Sequence, residues 1–186
     1  MRQIPYHLKE MLKFSKSKVV INDLSQGGLS SQSYQWFFTR HYENWIKTRP
    51  DFILIQLGTN DVIPLLEHKY ELANFEENLK TIIGNFKSFR GNDNKCPEIL
   101  IASVPLFYGE AYSQEKNRLV KEKINPTIKE IAKKEEIIFV DNFFVLKDKI
   151  NLYDPDGVHP NSKGEKALAK NWLSWIRSER RKKFSR

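Results

Sequence analysis

Residues 52–61 read FILIQLGTND, an apolar run that leads directly into a turn containing a glycine. A continuous apolar run with β-branched residues is typical of a strand that is buried on both faces of a parallel sheet. The sequence therefore predicts a strand over residues 52–57. Similar runs predict three more strands, at residues 19–21, 99–101 and 137–140.

Helical patterns occupy the gaps between these runs. Apolar residues recur there at spacings of three and four, which is the period of a helix with one buried face. In the last pattern Ser162 and Glu165 form a capping-box motif, and Pro126 is expected to divide or kink the third helix. The alternation of strands and helices predicts one α/β domain, a parallel sheet covered by helices on both sides. The apolar residues of the four helical patterns span residues 34–46, 72–86, 119–131 and 168–176.

Composition limits the classes of protein that need to be considered. Cys96 is the only cysteine among the 186 residues, so we expect neither an internal disulfide nor a thiolate metal cluster. No apolar run approaches the roughly 20 residues of a membrane-spanning helix, and the N-terminus lacks the apolar core of a signal peptide. We therefore expect no membrane span and, by default, a cytoplasmic location.

Much of the net charge of +8 lies in residues 177–186, where six basic residues face one acidic residue. These ten residues carry a net +5, which leaves +3 for the rest of the chain. A short basic segment after a final helix is usually a solvated, frayed end. Because the aromatic and basic pattern of a nucleic-acid-binding module is missing, we expect a basic C-terminal tail and no nucleic-acid partner.

Three polar motifs stand just after a predicted strand or just before a predicted helix. They are residues 26–30 (QGGLS), 58–61 (GTND) and 156–160 (DGVHP). In an open parallel sheet the loops at the carboxyl ends of the strands share one rim, where ligands bind. The first two motifs can therefore meet in space, and the third can join them if its loop returns to that rim.

Each motif taken alone also has a purely structural interpretation. Gly27 and Gly28 can form a turn that needs positive φ, and Asn60 with Asp61 can form a turn or a helix cap. A lone histidine such as His159 is more often packed or exposed than catalytic. The three motifs in this order, with these flanking elements, are much more specific than any one of them.

With these motifs the chain resembles the SGNH (GDSL-type) hydrolases, over nearly its whole length. The matches are Gly28 for the family's glycine block, Asn60 for its asparagine block, and Asp156 with His159 for its last block. The resemblance implies a flavodoxin-like three-layer α/β/α fold. It also implies hydrolysis of acyl esters without a metal ion or an organic cofactor.

The residue types suit that chemistry. Histidine is the usual base for taking and returning a nucleophile's proton, and Asp156 can fix the tautomer of His159 by accepting a hydrogen bond from its other ring nitrogen. The resemblance implies that the Gly28 N–H and the Asn60 side-chain amide form the oxyanion hole. Loss of one such donor typically costs about 10²–10³ in rate.

The family's first block, Gly-Asp-Ser at the end of the first strand, does not occur in the sequence. Typical members place it before a helix that resembles YHLKEMLK, residues 6–13, and thus upstream of Met1. We assign no nucleophile in this chain and interpret Ser25, Ser30, Ser31 and Ser33 as polar turn residues, because none lies in a strand–nucleophile–helix turn.

The first strand is central in a flavodoxin-like sheet. We therefore expect an N-terminally truncated hydrolase-like domain over residues 1–176 that lacks this strand and is inactive or nearly so as written.

The leading hypothesis is an esterase that acts on a small-molecule, carbohydrate or lipid acyl ester, as a monomer. The main alternative is a non-catalytic SGNH-like protein that binds a ligand or partner in the cleft that corresponds to the active site. The missing nucleophile motivates this hypothesis. Retention of both Asp156 and His159 weighs against it, because binding alone does not require that pair.

Overall fold

The computed structural model describes residues 4–13 and 19–184, with side chains described through residue 179. Its sheet has three parallel strands in the order β1-β2-β3: β1 is Phe52–Ile55, β2 is Glu98–Ala102 and β3 is Ile138–Val140. Leu54 pairs with Leu100, and Ile101 pairs with Phe139. The strands predicted from the apolar runs at 52–57, 99–101 and 137–140 are confirmed.

The described residues form two compact units whose segments alternate along the chain. The first takes its described residues from the ranges 4–13, 19–25, 105–113 and 142–184, and the second comprises residues 26–104 and 114–141. The hydrolase-like domain expected over residues 1–176 stays a prediction. The helices are α1 (Ile4–Leu12), α2 (Ser31–Ile46), α3 (Val62–Leu66), α4 (Leu72–Lys87), α5 (Gln114–Leu119), α6 (Asn125–Lys134), α7 (Asn142–Leu146) and α8 (Ser162–Phe184).

The second unit contains the sheet and its main core. Helix α4 packs against α2 and α6, and both α4 and α6 contact β2. Leu79, Ile82 and Ile83 of α4 and Leu100 of β2 are completely buried. Burial on both faces, as the continuous apolar runs predict, holds for Ile99–Ala102 of β2, whereas β1 alternates between half-buried and buried residues and only Val140 of β3 is buried.

The first unit is built around α8, against which α1 and α7 pack. Leu146, Tyr153 and Leu168 form a buried cluster, and the partly buried Ile4 packs against it. His7 of α1 and Glu165 of α8 are also buried, and their Nε2 and Oε2 atoms lie 3.5 Å apart. No helix within the described ranges is both long enough and apolar enough to cross a membrane.

The prediction of a strand at residues 19–21 is wrong. Residues 19–26 have no strand conformation, and the side chain of Val20 is 70% exposed. A short strand is stable only when a neighbour satisfies its backbone N–H and C=O groups. Among the strands that the structure describes, none pairs with this segment.

The start of α8 also differs from the prediction, because Asn161 rather than Ser162 caps the helix. Oδ1 of Asn161 accepts hydrogen bonds from the backbone N–H groups of Lys163 and Gly164, at 3.0 and 3.2 Å. The carboxylate of Glu165 faces His7 instead of completing a capping box. The helix continues to Phe184, through most of the segment predicted as a frayed tail, and residues 185–186 lie outside the described residues.

The predicted interruption of the third helix is confirmed. A π-helical turn, Val120–Ile124, separates α5 from α6, and Pro126 lies in the first turn of α6. Asn125, at the junction, accepts a hydrogen bond from the Val104 N–H at 2.7 Å and donates one to the Val104 carbonyl at 2.9 Å. The side chain of Asn125 thus supplies the backbone pairing that β2 lacks just beyond Ala102.

Replacement of Asn125 by alanine should lower the free energy of unfolding by about 2–4 kcal/mol, because it leaves two backbone groups of the buried Val104 without partners. Urea denaturation checks this against Lys129→Ala, an exposed substitution on the same helix. Equal stabilities of the two variants would contradict the role given to Asn125.

Candidate active site

Asp156 and His159 form a hydrogen-bonded pair in the loop before α8. Nδ1 of His159 lies 2.7 Å from Oδ2 of Asp156. Because an ionised carboxylate can only accept, the Nδ1–H donates and the neutral ring keeps Nε2 as its acceptor. The two side chains are 62% and 47% exposed, so Nε2 belongs to a ring that solvent or substrate can reach. The pair predicted from the sequence has the contact that an acid–base couple needs.

The other oxygen of Asp156 is held by its own turn. Oδ1 accepts the backbone N–H groups of Val158 and His159, each at 2.9 Å. The backbone and side-chain hydrogen bonds from His159, with that from Val158, lower the pKa of Asp156 to about 2. The carboxylate is therefore ionised throughout the neutral range and presents a fixed negative charge to the imidazole.

Gly157 allows this turn to lie directly against the segment after β2. Its φ is +68°, and a Cβ at this position would lie 1.7 Å from the carbonyl oxygen of Tyr108. The Tyr108 N–H donates to the Gly157 carbonyl at 2.9 Å, and the Asp154 N–H donates to the His159 carbonyl at 2.8 Å. Only glycine satisfies both the backbone angle and this close approach.

The glycine and asparagine motifs are brought together in the second unit. Gly28 has φ of +80° and is exposed, as a turn that presents its backbone requires. Asn60, also exposed, lies in a 3-10 turn that spans Thr59–Asp61. Nδ2 of Asn60 donates to the Leu29 carbonyl at 3.1 Å. An amide nitrogen has two hydrogens, so the second one is left for another acceptor.

Gly58 fixes the position of that turn. Its φ is +119°, and a Cβ would lie 2.7 Å from Cγ2 of the buried Val104. The chain therefore turns sharply after β1 only because residue 58 has no side chain. This places Asn60 close to the end of β1.

Three of the four serines near the glycine motif take part in local structure, and the fourth, Ser31, has a distant partner. Ser30 caps α2 and exchanges hydrogen bonds with Ser33, and the Ser25 hydroxyl donates to Asp23 at 2.6 Å. The Ser31 hydroxyl is buried and donates to Oδ1 of Asp61 at 2.5 Å. The contacts of Ser25, Ser30 and Ser33 agree with their interpretation as turn and cap residues, whereas Ser31, the first residue of α2, bonds to a distant carboxylate instead.

Asp61 has a structural role that the sequence did not reveal. It is completely buried, and its carboxylate accepts from the Ser31 N–H and hydroxyl and from the Tyr70 hydroxyl. Burial raises the pKa of Asp61, although each of these hydrogen bonds opposes the rise. Its main partner is thirty residues away, and no local pattern identifies a pairing at that distance.

The structure thus brings Asp156 to His159, and Asn60 to the turn that contains Gly28. Convergence of these two pairs on one point stays a prediction. Within the described part of the chain, no group of three or more His, Cys, Asp and Glu side chains could hold a metal ion.

Comparison with known proteins places these motifs in a family context. The family described as GDSL-like Lipase/Acylhydrolase matches residues 8–172. An acetylxylan esterase of Geobacillus stearothermophilus is 26% identical over 167 residues, which are 81% of this chain and 73% of that protein. A multidomain esterase of Ruminococcus flavefaciens is 29% identical over 133 residues, which are 70% of this chain but 16% of that protein.

Solved structures agree with the fold. Axe2, an acetylxylan esterase from Geobacillus stearothermophilus, matches with a TM-score of 0.71 and 18% identity, over 92% of this chain and 80% of its own. LAE5, an α/β hydrolase from the metagenome of Lake Arreo in Spain, matches with a TM-score of 0.71 and 14% identity, over 93% and 80% of the two chains. At this identity the likeness concerns the fold alone, and it confirms the α/β/α fold class predicted from the sequence.

Substitution of Gly157 by alanine should displace the turn that holds His159, because the new Cβ meets the Tyr108 carbonyl and the residue must keep a positive φ. We expect a loss of about 1–3 kcal/mol in unfolding free energy and a shift of the His159 ring signals in NMR spectra. Gly84→Ala, at a helical position with open space around it, is the matched control. Unchanged His159 signals in Gly157→Ala would show that the contact with Tyr108 does not position the ring.

Proposed function

Because this chain belongs to the family of GDSL-like lipases and acylhydrolases, we propose that it hydrolyses acyl esters by serine–histidine–aspartate chemistry. His159 is the general base and acid, and Asp156 orients its ring. Gly28 and Asn60 donate to the oxyanion. The observation that carries this proposal is the 2.7 Å contact between Nδ1 of His159 and Oδ2 of Asp156, which leaves Nε2 to exchange a proton.

The reaction proceeds in two balanced halves. In the first, the serine oxygen bonds to the acyl carbon, its proton passes to Nε2 of His159, and the carbonyl electron pair becomes an oxyanion. The backbone N–H of Gly28 and the free amide hydrogen of Asn60 stabilise that charge. Breakage of the ester C–O bond then sends the proton from Nε2 to the departing alcohol. Water repeats these steps on the acyl-serine and releases the carboxylic acid.

The proposed substrates are acetyl esters on carbohydrate. Two relatives are acetylxylan esterases, one from Geobacillus stearothermophilus and one from Xylanibacter ruminicola. In Axe2, catalytic mutants replace one serine, one aspartate and one histidine, and that aspartate and histidine are three positions apart. Asp156 and His159 have the same spacing.

The nucleophilic serine is proposed to lie on a segment that this sequence does not contain. No Gly-Asp-Ser occurs among the 186 residues, and the serines near Gly28 are engaged in a cap, in a turn and in the bond to Asp61. Two further observations support the proposal. The outer edge of β1 has no strand partner among the described residues, and the apolar residues 19–21 have not joined the sheet. An added strand that pairs with β1 would account for its open edge.

A non-catalytic binding protein is the second candidate, favoured by the same missing nucleophile. Ligand binding does not require an ionised aspartate at Nδ1 of His159, whereas ester hydrolysis requires one to orient the ring. Both candidates take a small acyl ester or a related carbohydrate as ligand. The proposed oligomeric state is a monomer.

A fluorophosphonate probe tests the nucleophile assignment. The 186-residue chain should remain unlabelled, whereas a natural gene product that carries an upstream Gly-Asp-Ser segment should be labelled at that serine. Intact mass and peptide mapping locate the label. Labelling at any serine within residues 1–186 would contradict the assignment, and a well-folded longer product that takes no label would favour the binding protein.

Replacement of His159 by glutamine, or of Asp156 by asparagine, should lower kcat on an acetylated xylo-oligosaccharide by about 10²–10⁴-fold, because either change removes the oriented base. The measurement uses the polypeptide that the probe labels. His68→Asn, at an exposed histidine with positive φ, is the control and should retain activity. Full activity in His159→Gln would refute the proposed mechanism.

A further inference from the structure

Asp61 joins the two turns that carry the proposed oxyanion donors. Its Oδ1 and Oδ2 accept the Ser31 N–H at 2.9 and 3.0 Å, and Oδ1 also accepts the Ser31 hydroxyl. Ser31 lies three residues after Gly28, and Asp61 directly follows Asn60. The side chain of Asn60 holds the Leu29 carbonyl. Two consecutive residues of one turn therefore hold the other turn at two nearby points.

A wider set of hydrogen bonds prevents the carboxylate of Asp61 from rotating. The Tyr70 hydroxyl donates to Oδ1, and Nδ2 of Asn78 donates to the Ser31 hydroxyl oxygen at 3.2 Å. Nε2 of Gln35 donates to Oδ1 of Asn78 at 2.6 Å. A partly buried network in which each of these side chains is bonded restricts the arrangement of the backbone that it holds.

Helix capping alone does not account for this carboxylate. Helix α2 already has a capping box, in which Ser30 and Ser33 satisfy each other's backbone N–H groups. Burial of a carboxylate is costly even when it is hydrogen-bonded. The capping box leaves the Ser31 N–H to Asp61, and this bond also connects the start of α2 to the turn that contains Asn60.

We propose that Asp61 is a positioning residue: through Ser31 it holds the Gly28 N–H and the Asn60 amide in the relation that the oxyanion requires. This inference rests on the proposed esterase function for its catalytic meaning. The structural part of the proposal, that Asp61 fixes the positions of Gly28 and Asn60, rests on the hydrogen bonds alone. Donors must lie within a few tenths of an ångström of the developing charge to be fully effective.

The structural part can be tested on the 186-residue chain by NMR spectroscopy. Asp61→Asn keeps the shape of the side chain but replaces one of the two oxygens that accept the Ser31 N–H by an amide NH2 group, which cannot accept. The backbone signal of Gly28 and the side-chain amide signals of Asn60 should therefore move. Asp141→Asn is the matched control, because Asp141 also accepts a serine hydroxyl, from Ser103, outside these two turns. Unmoved signals of Gly28 and Asn60 in folded Asp61→Asn would overturn the proposal.

The catalytic part is tested by kinetics of the longer gene product whose serine the fluorophosphonate labels, assayed in the absence of the probe. Asp61→Asn should lower kcat on the order of 10²-fold, the effect of misplacing an oxyanion donor, and should leave KM within about twofold. A purely structural role would lower the fraction of active enzyme in proportion to unfolding, which active-site titration with the fluorophosphonate measures. An unchanged kcat per titrated site, with displaced signals of Gly28 and Asn60, would overturn the catalytic role.

If Asp61→Asn does not fold, Ser31→Ala tests the positioning role of Asp61 in its place. It removes the hydroxyl contact with Asp61 and keeps both backbone contacts, so smaller shifts of the same signals and a decrease of about tenfold in kcat are expected. Absence of both effects would overturn the proposal. If Asp61→Asn displaces Gly28 and Asn60 but the parent polypeptide hydrolyses no ester, the positioning role holds and the proposed function fails.

Discussion

Parallel pairing of β1, β2 and β3 is the constraint on which the candidate site in the second unit depends. Strands that run in the same direction send their following loops to one edge of the sheet. The turn with Asn60 begins four residues after β1 ends, and Val104, which limits the space around Gly58, follows β2 by two residues. The register between Ile55 and Ile101 therefore sets how closely these two loop segments approach.

The sequence predicts the strands that have a partner in the sheet and fails at the one that has none. Residues 52–55, 98–102 and 138–140 pair with one another, so a continuous apolar run is a sufficient signal for them. Residues 19–21 have the same composition, but composition does not encode a partner, and Val20 is largely exposed. Strand formation depends on a neighbour in a way that the formation of an amphipathic helix does not.

The same distinction between local and distant partners explains which site residues could be found. Asp156 and His159 are three residues apart, and a turn of that length brings their side chains together, so their spacing contained the information. The cap of α8 was placed one residue too late, because both Asn161 and Ser162 are good cap residues. The bond between Ser31 and Asp61 spans thirty residues, and only the folded chain reveals it.

Asp156 in the first unit and Asp61 in the second have opposite electrostatic environments. Asp156 is exposed and held by donors, so its pKa is lowered; its charge stabilises the fold above the ordinary carboxyl pKa and is lost only as the pH falls towards about 2. Asp61 is buried, and burial raises its pKa in spite of its donors. Its favourable contribution to folding is complete only below the ordinary carboxyl pKa and declines as the pH rises through the raised value. The fold thus accepts an electrostatic cost at Asp61 at neutral pH, at the place where two distant turns must be held together.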